Sequence, residues 1–386
     1  NILNRTGQSK KAIDLYLKIL KNNKNHPDVN LNIAIAYFHN KEYEKANNYF
    51  EICKKINPNN DKFKKNYSFF LLYRQEYKKA WEISDGRLDL QEFIKQDSWI
   101  GNFKEKIWQG EKLEKDDKIL VVKEQGVGDE ILYSTMYPEA LDYFSNIKIE
   151  VEERLLSIFQ RSYKNSDKFF PALSISNDQE KLKDFKKVIF SASLGRLFRN
   201  SIQEFPKKNM LKPSEKIFNE IKNKLQKITR KKMIGISWKS KRVFYGRAKS
   251  IDLYSFLPLF KNKNFSFINL QYGDVDDDLL KLKNDFNIEI INLKEIDMFN
   301  DFESIACLLK NLDLFISVSN STAHLAGALN IDTLLIKPKA NAIFHYWNQP
   351  NDRSPWYPSI KLIEQNNNSE SMMEEINKIL LKKFNF

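Results

Sequence analysis

Short apolar runs alternate with helix-like stretches from residue 119 to residue 363, and this alternation restricts the fold more than any other feature of the chain. The first set of runs is Ile119 to Val122, Ile147 to Val151 and Val188 to Phe190. After a basic, less regular stretch from Arg199 to about Arg230 come Met233 to Trp238, Phe265 to Leu270, Ile288 to Leu293, Leu312 to Val318, Thr333 to Ile336 and Ile360 to Ile363. Strands separated in this way by helices build parallel sheets with helices on both faces. Two sets joined by a linker predict two α/β domains facing each other across a cleft.

The first ninety residues follow another rule. Ala12, Ala46 and Ala80 recur every 34 residues, each preceded by Lys, with Tyr43 matching Tyr77 and Tyr16 matching Phe50. Ala34, Tyr37, Ala46, Phe50, Cys53 and Pro58 resemble the tetratricopeptide (TPR) consensus, which implies a pair of antiparallel helices per repeat. Small residues at 34 and 46 let the two helices approach, and Pro58 ends the second one. The pattern decays at Ser84 and Arg87, and a junction with Trp99 and Trp108 follows. Counting back from Ala12 puts Asn1 inside a helix, so further repeats are expected upstream. Such an array offers a concave surface to a protein partner or serves as a helical spacer.

Composition excludes several classes. The 42% hydrophobic and 29% charged residues are those of an ordinary globular protein. No stretch approaches the roughly 18 uncharged apolar residues of a transmembrane segment. The net charge of +13 suggests nucleic acid, but only 11 of the 63 basic residues are Arg. Lys and Asn share A/T-rich codons, and no basic stripe with interleaved aromatics occurs, so nucleic acid is not the expected partner. Cys53 and Cys307 lie far apart, which suits a reducing, cytoplasmic setting. None of His26, His39, His324 and His345 has a metal-ligand spacing to Cys or Asp, and no metal is expected.

Two turns carry chemistry. In Lys118 to Asp129 an apolar run breaks at Gly126 and Gly128, and the apolar stretch from Ile131 to Met136 reads as the start of a helix. The glycines are expected to take positive φ and to bring the backbone close to a ligand, with the Asp129 carboxylate held at the turn or capping the helix. In Ser317 to Leu329 a buried strand ends in Ser319, Asn320, Ser321 and Thr322 before a helix of small residues. Its free N–H groups and positive dipole end suit a phosphate, and the same residue types also serve as plain caps. Asp274 to Asp278 imitates an Asp-x-Asp metal motif, but acidic residues ahead of Leu279, Leu280 and Leu282 read as the first turn of a helix.

In order, Glu124 to Asp129 with Pro138, Ile236 to Lys239, Thr322 to Ala328 and Ser354 to Pro358 resemble bacterial TPR-fused glycosyltransferases of the heptosyltransferase-like family 9. There is a looser likeness to TPR-bearing O-GlcNAc transferases. The resemblance implies a GT-B fold: TPR repeats over 1–92, a Rossmann-like acceptor domain over 93–205, a linker over 206–230 and a Rossmann-like nucleotide-sugar domain over 231–386. It implies Asp129 as general base and Lys249 on the donor phosphate, with Lys239 and Arg247 as neighbouring alternatives. Ser319, Asn320, Ser321, Thr322 and His324 would form the phosphate turn. Family members usually carry Asp-Thr-Gly where this chain has Ser319-Asn320-Ser321, a departure that bears on an ADP-heptose donor. The implied reaction is metal-independent, inverting transfer from a nucleotide sugar to a glycan, lipid-linked saccharide or protein, in the cytoplasm or at the inner membrane surface. The nucleotide sugar is a substrate, and no cofactor is called for. The alternative is a TPR interaction protein with a degenerate transferase half. Trp356 and Tyr357 are expected to pack in the core or line the cleft wall, with stacking on a sugar as the alternative.

Overall fold

The computed structural model describes residues 8–85, 98–208, 211–240, 246–338, 344–365 and 369–386. Asn1, Arg87 and the side chains of Trp99 and Arg247 lie outside the described residues.

Five helices open the chain: α1 (Ser9–Asn22), α2 (Pro27–His39), α3 (Tyr43–Ile56), α4 (Asp61–Tyr73) and α5 (Tyr77–Ser84). α1, α3 and α5 start 34 residues apart, as do α2 and α4. Ala12, Ala46 and Ala80 each stand fourth in their helix and are buried, so the repeated alanine marks where the paired helix comes closest. The turns repeat as well. Glu42 N donates to Tyr37 O and Glu76 N to Leu71 O, while Lys41 and Gln75 sit in the left-handed region at φ 63° and 60°. Phe50 packs against Phe70 of the next repeat at 5.1 Å.

The first sheet contains β1 (Lys118–Val122), β2 (Asn146–Val151), β3 (Phe169–Pro171) and β4 (Lys187–Phe190), all parallel, in the order β3-β2-β1-β4. The second contains β5 (Lys232–Ser237), β6 (Phe265–Asn269), β7 (Leu314–Val318), β8 (Thr333–Ile336) and β9 (Ile360–Ile363), also parallel, in the order β6-β5-β7-β8-β9. Every residue of β7 and β8 is buried, as expected for strands covered on both faces. Among the described residues one expected strand is absent and one unexpected strand is present. Ile288 to Leu293 makes only an isolated bridge to the edge strand β6, Ile291 to Ile268, with Ile291 N donating to Phe267 O and Asn269 N to Ile291 O. β3 was not foreseen: it is three residues long and ends in Pro171, which only an edge strand tolerates.

The basic stretch before β5 is more regular than its composition suggests. Glu215–Ile228 is a helix that buries Ile221 and Leu225 against helix Phe302–Lys310. Its i, i+4 apolar positions are hidden among Lys and Asn. Helix Phe302–Lys310 also meets helix Glu153–Ser162 of the first domain, where Glu303 accepts from Arg161 Nη2, from Ser157 Oγ at 3.2 Å and from Ser214 N at 2.6 Å. The strand order of each sheet reverses direction once, between β1 and β4 and between β5 and β7. Ligands of such sheets bind at those points, beyond the carboxyl ends of the strands. Both motif turns leave their sheets there.

Candidate active site

On the first sheet, the chain leaves β1 through Gln125 at φ 60°. Gly126 is in the β-region at φ −95° and ψ 167°, and Gly128 lies within helix Val127–Tyr133, so the positive φ expected of the glycines falls on Gln125 instead. Gly128 serves close approach, but to the opposite domain. A Cβ there would stand 3.0 Å from His324 Cδ2 and 3.5 Å from Ser321 Cα. The helix also begins at Val127, four residues before Ile131, since Gly126 provides the extended cap and Asp129 the third helical position. Asp129 Oδ2 accepts from Gly126 N at 3.4 Å, one half of a capping box. Asp129 is buried.

Two neighbouring acidic side chains fasten the turn. Glu124 Oε1 accepts from Ala192 N at 2.7 Å, joining the ends of β1 and β4. Glu130 Oε1 accepts from Glu152 N at 2.7 Å, and burial pushes its carboxyl up to about 8.

On the second sheet, Asn320 caps helix Ser321–Ala328 by accepting from Ala323 N at 3.0 Å. Its amide donates to Ser237 Oγ at 2.7 Å, tying the ends of β5 and β7. Gln271, unnoticed in the sequence, supports the same turn: its Oε1 accepts from Ser237 Oγ, Trp238 N and Lys239 N at 3.0, 2.9 and 2.6 Å. Ser319 and Thr322 are buried and Ser321 is half-buried. The backbone of Lys239 reaches Asn320, but its ammonium turns away to Asp278. Asp276, Asp277 and Asp278 fill the first turn of helix Asp276–Phe286, the capping role read from the sequence.

His324 is the meeting point of the two halves. Its Nδ1 lies 3.1 Å from Tyr357 Oη, and its ring faces Gly128. Burial, then the positive field of Lys249, then His345, lower its titration to about 3, so the imidazole is neutral at physiological pH. Lys249 is itself buried, its ammonium 4.4 Å from the centre of the Phe344 ring. The structure therefore gathers Asp129, Lys249, Ser319, Asn320, Ser321, Thr322 and His324 at one domain junction and leaves the Lys239 ammonium outside it.

Residues 344–357 close over this junction. Tyr346 Oη donates to Asp129 Oδ1 at 3.4 Å and Trp347 Nε1 to Ser319 Oγ at 3.1 Å. Gly327 leaves room for Tyr357, whose Cγ would lie 2.4 Å from a Cβ at that position. Trp356 and Tyr357 are buried, Trp356 as packing and Tyr357 also as the partner of His324. A cavity of about 180 Å³ lies elsewhere, lined by residues that include Thr135, Tyr163, Lys208 and Ala328. Among the described residues no group of three or more His, Cys, Asp or Glu is placed to hold a metal ion, and no helix is long and apolar enough to cross a membrane.

No family profile matches the chain. Protein FlbA of Caulobacter vibrioides is 26% identical over 275 residues, 66% of this chain and 44% of that protein, so the chain spans less than half the length of that relative. Among solved structures, the E. coli ADP-heptose LPS heptosyltransferase II is similar at a TM-score of 0.47 and 14% identity, over 69% of this chain and 99% of that one. A glycosyl transferase of family 9 from Veillonella parvula is similar at 0.46 and 13%, over 69% and 92%.

Proposed function

We propose that the chain is a glycosyltransferase that moves a sugar from a nucleotide-sugar donor to an acceptor hydroxyl with inversion and without a metal. The observation that carries this reading is the contact at Gly128. It sets a carboxylate at the end of one parallel sheet beside the phosphate-type helix start of another. Asp129 takes the proton of the acceptor hydroxyl, whose oxygen attacks the anomeric carbon as the bond to the nucleoside diphosphate breaks. General-base help of this kind contributes about 10² to 10⁴ in rate. The leaving diphosphate is met by Lys249 and by the free N–H groups at Ser321 and Thr322, where the helix dipole favours negative charge. His324, neutral, orients this helix start and offers a hydrogen bond in place of a charge. The acceptor is a glycan, a lipid-linked saccharide or a protein, and the repeats provide a surface for a protein partner.

The burial of Asp129, Lys249 and His324 favours a second reading, an interaction protein whose transferase half does not turn over. Calorimetric titration with UDP, GDP and ADP separates the two. The proposal expects one nucleotide to bind, and Lys249→Ala to weaken it roughly tenfold or more through loss of a charge-assisted contact. No binding by any of the three contradicts it.

A further inference from the structure

The aromatic segment 344–357 touches the candidate site on one side and the helical repeats on the other. Toward the site, Phe344 lies under the Lys249 ammonium, Tyr346 donates to Asp129, Trp347 donates to Ser319, and Tyr357 pairs with His324. These contacts share one support, since Phe344 stacks on Tyr346 with centroids 5.6 Å apart and Tyr346 meets His324 edge-on at 4.8 Å. Toward the repeats, His345 lies 5.5 Å from Phe69 of α4, and both His345 and Trp356 meet Trp81 of α5 at 6.4 Å. Trp81 is anchored in turn by its Nε1, which donates to Arg199 O at 2.6 Å. Ser354 Oγ donates to Tyr346 O at 3.0 Å and closes the segment on itself. Tyr346 and Trp356 are both buried, so their places depend on what packs behind them.

We infer that this segment is a strap through which the helical repeats set the geometry of the site, with Tyr346 as the positioning residue for Asp129. A tyrosine hydroxyl on one carboxylate oxygen fixes the rotation of the carboxyl group and leaves the other oxygen on Gly126 N–H. The carboxylate is thereby held from both sides of the domain junction. The repeats share this backing with Phe205, whose ring centre lies 4.9 Å from that of Trp356. The repeats are then a wall of the proposed catalytic centre. The inference rests on Asp129 being the base, and Phe69 bears on it through His345 of this strap.

The test uses two variants of the full chain. Tyr346→Phe keeps the ring and removes only the hydroxyl, while Phe69→Ala alters the repeats without touching a site residue. In protein carrying ¹³Cγ-labelled aspartate, the Asp129 resonance is assigned by its disappearance in Asp129→Asn. The inference expects that resonance to shift in Tyr346→Phe and, in the same direction, in Phe69→Ala. Where transfer is measurable, kcat should fall roughly tenfold in Tyr346→Phe while KM for the donor stays within about twofold. An unmoved resonance in Tyr346→Phe overturns the positioning role. A shift in Tyr346→Phe with none in Phe69→Ala overturns the part assigned to the repeats. If the unaltered protein transfers no sugar from UDP-, GDP- or ADP-linked donors, the proposed reaction fails and the resonances still decide this inference.

Discussion

Glu130 follows Asp129 in the chain, yet it is wired to the opposite end. Its carboxyl faces the core and holds Glu152 N, and burial pushes its titration from the ordinary 4.5 up to about 8. Between those values the unfolded chain has released a proton that the folded chain retains, so stability falls as pH rises through the window. Glu130→Gln keeps the acceptor for Glu152 N–H and cannot ionise. Thermal melts should show it more stable than the parent at pH 8, by about 4 kcal/mol, and nearly equal at pH 4.5. An equal shift at both pH values contradicts the assignment. At this scale the sequence was partly legible. The Asp129 carboxylate and the Ser319 to His324 turn stood out because their residue types are rare combinations beside strand ends. Tyr346, Gln271 and the direction of Glu130 did not, because each acts through a contact distant in sequence. Gly128 was legible as a place of close backbone approach, but only the folded chain shows that it faces His324.

The elements were more readable than the contacts between them. A 34-residue period fixed the helix starts, since each repeat must present the same small residues to its neighbour. The helix Glu215–Ile228 was obscured because lysine and asparagine dilute its apolar stripe, and β3 because three residues carry no period. The repeat turns also hold a local cost. Lys41 and Gln75 occupy the left-handed position after α2 and α4, where glycine is the unstrained choice. A side chain there costs about 1–2 kcal/mol, and the added freedom of glycine in the unfolded chain takes back about 0.4–1. Gln75→Gly should therefore stabilise the protein by about 0.5–1 kcal/mol, read as a higher denaturant midpoint at unchanged slope. A lower midpoint would mean that the Gln75 side chain contributes packing that outweighs the strain.

At the scale of the whole molecule, two sheets present their switch points to one another and the repeats lean on the segment that covers the junction. Away from the site, Glu303 joins the two α/β domains by accepting from Arg161, Ser157 and Ser214. Its side chain is 16% exposed and that of Arg161 35%, so the contact is only partly screened by solvent. Glu303→Ala removes three donors' partner at once and should cost about 1–3 kcal/mol in a thermal or chemical melt. An unchanged melt would show that helix packing alone holds the domains together.

The proposed reaction turns on the carboxylate at this junction activating an acceptor. The direct measurement is release of nucleoside diphosphate, coupled to transfer, by the parent and Asp129→Asn proteins side by side with the donor whose nucleotide binds. Asp129→Asn should bind the nucleotide with affinity close to the parent and lose roughly 10² to 10⁴ in turnover. Full turnover in Asp129→Asn would contradict it.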